Sequence, residues 1–138
     1  MTLQSLVRHF TLVAALVAAP ACGRGDPTSP PPCASAVAVS VGRGLQPEIT
    51  WQPACAVITV AVASADAVAA GLPDWQASTV AGAGFLPPVQ VGASPPGTTV
   101  WGAGATLGAG AAYKVYVVRG RRGDPTGGVD SLTFTAQP

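Results

Sequence analysis

From residue 36 to residue 135 the chain alternates apolar and polar positions in short runs separated by glycine and proline. Val37, Val39 and Val41 share one face of 36–41, and Ile49 and Trp51 do the same in 48–52. Ile58, Val60 and Val62 repeat the pattern in 57–62, and further short runs fall at 75–80, 89–91, 98–101, 113–119 and 129–135. A period of two, β-branched residues and turn-forming punctuation are the marks of strands. Seven or eight short strands without long helices predict an all-β fold, an antiparallel sandwich. The alanine-rich stretch 61–70 has high intrinsic helix propensity. The β-branched residues before it and Gly71-Leu72-Pro73 after it leave room for a single helical turn at 65–70.

The N-terminus follows a different pattern. Arg8 and His9 precede an apolar stretch, 10–19, which at about ten residues is half of the roughly 20 a helix needs to cross a bilayer. A cleaved signal fits that length. Ala19-Pro20-Ala21-Cys22-Gly23 resembles the lipobox of bacterial lipoproteins, with small residues ahead of a lone cysteine. The resemblance implies removal of 1–21 and acylation of Cys22, whose acyl chains would each add about 0.8 kcal/mol of membrane affinity per buried methylene. It also implies residence at the outer membrane, because Gly23 stands where an aspartate would signal inner-membrane retention. Ala19-x-Ala21 equally suits an ordinary signal peptidase, which would make the protein secreted.

Without 1–21, six basic residues face six acidic ones and the formal charge moves from +1 to 0, since Arg8 leaves with the signal. Such a balance gives no electrostatic basis for binding nucleic acid. Residues 22–32 form a proline-rich tether, whose polyproline-like rise of about 3.1 Å per residue would hold the body roughly 30 Å from the lipid. Residues 33–138 amount to one domain. The chain has three cysteines, and if Cys22 carries lipid, Cys33 and Cys55 can pair. The alternative is two free buried thiols.

Two short motifs bring in a family. Ile49-Thr50-Trp51-Gln52-Pro53 resembles the second strand of a fibronectin type III domain, and Leu107-x-Ala109-x-Ala111-x-Tyr113-x-Val115-x-Val117 resembles its sixth. The resemblance implies an immunoglobulin-like sandwich in which Trp51 and Tyr113 are core residues and the tyrosine hydroxyl bonds to nearby backbone. It further implies that Cys33 and Cys55 lie at the same end of the sandwich, within reach of a disulfide. Ala109 and Ala111 stand where the family has proline and threonine, the third strand lacks its tyrosine, and the Trp51–Tyr113 interval is long. The surplus is expected between Ala63 and Pro88, with Asp74-Trp75 in an extra edge strand.

Candidate chemistry is sparse. Arg24-Gly25-Asp26 and Arg122-Gly123-Asp124 are each followed by Pro-Thr; the second falls where one fibronectin module displays an integrin-binding tripeptide, but Gly-Asp-Pro is also common turn chemistry. Trp75 and Trp101 are candidate ligand contacts, since exposed indoles stack on sugar rings. Asp66 and Asp74 are the closest acidic pair, far short of the six to eight oxygens that calcium takes. The mature chain has no histidine, so neither a zinc site nor a catalytic base is evident, and no cofactor is expected. The resulting expectation is a lipid-anchored, non-catalytic envelope module that binds a protein or polysaccharide partner and no nucleic acid. A polysaccharide-binding module using exposed tryptophan and a structural envelope spacer are the alternatives.

Overall fold

The computed structural model describes residues 30–79, 83–120 and 124–138. Cys22, the N-terminal signal, most of the tether, the first Arg-Gly-Asp and Arg122-Gly123 of the second lie outside them. The described chain folds into eight strands and one short helix: β1 (Ala38–Val41), β2 (Glu48–Gln52), β3 (Thr59–Ser64), α1 (Ala65–Ala70), β4 (Trp75–Thr79), β5 (Val89–Gln90), β6 (Thr98–Trp101), β7 (Ala112–Arg119) and β8 (Gly128–Thr135). They make two antiparallel sheets, β1-β2-β5 and β6-β4-β3-β7-β8. This is the all-β sandwich that the alternation predicts.

The period-two pattern explains which side chains enter the core. Val60 and Val62 of β3 stand in register with Val117 and Val115 of β7 and with Ala77 and Trp75 of β4, and all six are fully buried. Ile49, Trp51 and Val89 meet them from the smaller sheet. Burial of such side chains contributes about 1.5–3 kcal/mol each. Trp51 edges onto Phe85, ring centroids 6.4 Å apart, and its indole N–H donates to the Cys55 carbonyl at 2.8 Å. The donor is thereby satisfied inside the core.

Cys33 and Cys55 are bonded to each other, with Cα atoms 4.9 Å apart. Pro32 bridges Ala56 alongside, so the chain enters the body at the end where β3 begins and β7 finishes. Tyr113 is also where its motif implies: the ring is buried and stacks on Phe134, and its hydroxyl accepts the Gly108 N–H at 2.8 Å.

Part of the surplus chain, α1, lies between Ala63 and Pro88 as expected, but the edge strand does not. Asp74-Trp75 does not start an edge strand, because β4 is hydrogen-bonded on one side to β3 and on the other to β6. The edge belongs to β6, which follows β5 and returns from the smaller sheet to the larger one. Gly102, just past β6, lets the end of that strand close on the start of β4: its φ is +69°, and a Cβ there would collide with the Asp74 carbonyl. The rest of the surplus is α1, a short helix capped by the Ser64 hydroxyl, which accepts from the Ala67 amide, and ended by Gly71 at φ 72°.

Removing the disulfide with Cys33→Ala/Cys55→Ala is expected to cost about 3 kcal/mol by the loop-entropy argument. Tyr113→Phe, which leaves the Gly108 amide without its acceptor, is expected to cost about 1 kcal/mol. Urea unfolding of each variant against the parent measures both.

Candidate functional site

The four residues singled out in the core and as ligand contacts separate cleanly. Trp51 and Tyr113 are buried, as their motifs imply. Trp75 is 0% exposed: it stands in register with Val62, and its indole N–H donates to the Ala93 carbonyl at 3.3 Å. A ligand cannot reach it, so its candidacy as a contact is withdrawn. With β6 hydrogen-bonded beyond it, β4 is interior to the sheet, and Trp75 fills the core beneath. Trp101 is the opposite case at 57% exposed. Its neighbour Val100 pairs with inward Ala77, so Trp101, paired with Gln76, projects from the outer face.

Register places other side chains on that face in rows. Trp101, Gln76, Ala61, Tyr116 and Ser131 form one row across all five strands. Thr99, Ser78, Thr59, Val118 and Val129 form the next. Interstrand spacing of about 4.8 Å sets the Trp101 and Tyr116 backbones about 14 Å apart, with only Gln76 and Ala61 between them. The Gln76 amide donates to Ser78 Oγ at 2.8 Å, and Ser78 Oγ lies 3.0 Å from Thr59 Oγ1, so the polar groups of the floor form a connected line. The exposed side chains Val68 and Leu72, in α1 and just after it, stand at the end of this face remote from the disulfide.

Two hollows flank Tyr116. One of about 410 Å³ lies between α1 and β7, the other of about 250 Å³ between the helix and Gln76, and Ala63, Val68 and Tyr116 line both. The Lys114 ammonium lies 5.3 Å from the centre of the Tyr116 ring and is the charged group of this lining. Sequence reasoning missed Tyr116. The signal for it was its offset of three from Tyr113 in a strand, which puts the two rings on opposite faces.

The acidic candidates have structural duties. Asp74 accepts the Ser64 amide with its carboxylate, tying the end of β3 to the start of β4, and Asp66 lies in the first turn of α1. Asp124 shapes the turn that leads into β8: its Oδ1 accepts the Thr126 amide at 2.9 Å and the Thr126 hydroxyl at 2.8 Å. Arg119 braces the same turn, donating to Asp130 at 2.7 Å and to the Thr126 carbonyl at 2.9 Å. This turn lies at the disulfide end, where Pro32, Ala56, Gly120 and Asp124 line a common hollow of about 190 Å³.

Trp75→Ala is expected to destabilise by about 3–5 kcal/mol through loss of a buried ring, whereas Trp101→Ala should stay within about 0.5 kcal/mol as a surface change. Thermal unfolding of the two variants distinguishes a core role from a surface one. The Thr126 backbone amide, and after it the Thr126 hydroxyl, hold the Asp124 carboxyl below its ordinary 3.8. A lowered folded-state pKa means that the turn gains stability above pH 3.8 and loses it as the pH falls through the depressed value. Protection of the Thr126 amide, the intrinsic exchange rate relative to the observed rate at the same pH, should therefore fall on acidification below that point, and Asp124→Ala should abolish that fall.

The chain matches no family model, and neither a curated protein nor a solved structure shows significant similarity to it.

Proposed function

We propose that the protein is a lipid-anchored, non-catalytic module of the bacterial cell envelope, held at the outer membrane by an acylated Cys22 and serving to bind or assemble a partner. The observation that carries this reading is the cysteine arithmetic. Cys33 and Cys55 bond to each other, which accounts for two of the three cysteines and leaves the one that follows small residues and an apolar stretch. A disulfide also suits an exported protein. Several acyl chains on one residue hold a protein firmly to a leaflet.

The layout of the body supports a binding role. The chain enters at the disulfide, the exposed side chains Val68 and Leu72 stand at the other end of the larger sheet, and the exposed Trp101 lies on its outer face in the row of Ala61, midway along β3. Six residues of β3 at about 3.3 Å each separate the two ends by about 20 Å, so Val68 and Leu72 would face away from the anchor. The non-catalytic part of the reading is supported by side-chain chemistry. Residues 22–138 have no histidine, and the two cysteines of the body are committed to the disulfide.

Intact-mass measurement on protein extracted from its native membrane tests the anchor and the bridge together. The expected product lacks residues 1–21, carries acyl groups on Cys22, and is two hydrogens lighter for Cys33–Cys55. Recovery of the mature chain from the medium with an unmodified Cys22 overturns the anchor. Cross-linking in living cells tests the binding role, and failure to recover any reproducible partner overturns it in favour of a plain spacer.

A further inference from the structure

We infer that the outer face of the β6-β4-β3-β7-β8 sheet binds a neutral, linear polysaccharide across its strands, with Trp101 and Tyr116 as the two stacking platforms; this names the partner of the envelope module proposed above. Three properties of the face select that chemistry. The first is the distribution of aromatic surface. Trp101 is half-exposed at the edge of the row and Tyr116 is its other ring, with no bulky side chain between them, only Gln76 and Ala61. A ligand that lies flat over the small side chains meets a ring at each end, about 14 Å apart, the span of a short oligosaccharide. Pyranose rings present flat C–H faces, which an indole or phenol covers well.

The second property is the kind of polar group. Gln76, Ser78, Thr59, Thr99 and Ser131 put uncharged amide and hydroxyl groups on the face, each able both to donate and to accept. Sugar hydroxyls have the same dual character. The third is charge. Lys114, whose ammonium sits over one face of the Tyr116 ring, is the sole ionisable group in these rows and the hollows around them apart from the tyrosine phenols. An acidic polysaccharide or a nucleic acid would find a single cation here, whereas a neutral glycan asks for none. A docked apolar peptide helix would bury Val68 and Leu72 but would cut off from water the donors and acceptors that the Gln76–Ser78–Thr59 groups do not spend on one another, a desolvation cost that a polyhydroxylated ligand avoids.

The chain has three tryptophans, and two of them, Trp51 and Trp75, are fully buried, so acrylamide quenching of tryptophan fluorescence reads Trp101. Full-length protein in a sugar-free detergent is titrated with dextran, hydroxyethylcellulose, galactomannan, polygalacturonate and the neutral polysaccharide fraction of the producing cells. Binding at this face is expected to lower the quenching constant at least threefold with one or more neutral polysaccharides and to leave it unchanged with polygalacturonate. The same glycan set in a native gel should slow the parent and Leu132→Ala alike, and Trp101→Ala or Tyr116→Ala should weaken that retardation at least tenfold. Absence of protection and retardation with every neutral polysaccharide overturns the inference, as does retardation that survives in Trp101→Ala. A protein partner cross-linked in cells without any glycan effect overturns this inference while the envelope-module reading stands. An unmodified Cys22 with glycan retardation intact does the reverse.

Discussion

Trp51 ties together the parts of this fold that would otherwise be independent. Its ring fills the space between the sheets, and its indole N–H reaches the carbonyl of Cys55, the residue bonded to Cys33. The side chain that organises the core thus also positions the loop that receives the incoming chain. A buried N–H without an acceptor would cost about 1–3 kcal/mol, so the loop from β2 to β3 is constrained to present Cys55 where the disulfide can form. Phe85 closes the same corner from the loop ahead of β5, through its backbone bridge to Val57 and its edge contact with Trp51. With one ion pair, Arg119–Asp130, among the described residues, stability rests on apolar burial and these few directed bonds.

The unequal widths of the two sheets shape the surface. Five strands cannot be fully covered by three, so the larger sheet overhangs its partner. Leu132 shows the effect: it pairs with fully buried Val115 and points inward, yet is 37% exposed because it sits on the outermost strand. β1 lies against β8 there, with a bridge from Gly44 to Gln137 just past the two strands, and covers the seam only in part. At the other edge, β6 extends the sheet past β4, converting Trp75 from a plausible rim residue into core and moving the rim to Trp101. One strand therefore decides which tryptophan is available to a ligand.

Strand positions were readable because alternation is local: Val60 and Val62 declare their face whatever they pair with. Even the extent of α1 could be read, since Ser64 and Gly71 are local cap signals flanking alanines. Pairing was not readable in the same way. Whether β4 ends a sheet depends on whether β6 returns to it, a contact between Gln76 and Trp101 across 25 residues that no period records. The misreading of Trp75 follows from that single unknown. Tyr116 is hard to read from the sequence for a related reason. The run Ala112–Arg119 has apolar residues on both faces, so the inward set of Tyr113, Val115 and Val117 does not by itself mark the outward tyrosine. The role of Asp74 depends on another pairing: its carboxylate meets Ser64 only once the connection through α1 has folded back.

The scarcity of charge links the body to its surroundings. A surface with few ionic groups depends on neutral polar side chains for solubility, and on the outer face these are grouped rather than scattered, because β-pairing aligns Gln76, Ser78, Thr59 and Thr99 on neighbouring strands. Alignment lets them bond to one another, which offsets part of the cost of covering them. The same alignment brings two aromatic rings onto one line, which crosses β3 at Ala61, midway between the two ends of the sheet. A tether attached at the disulfide end leaves that line unobstructed by the chain's own entry. The direction in which the chain enters and the composition of one sheet face therefore act together: the first determines where the body is held, and the second determines what it can hold.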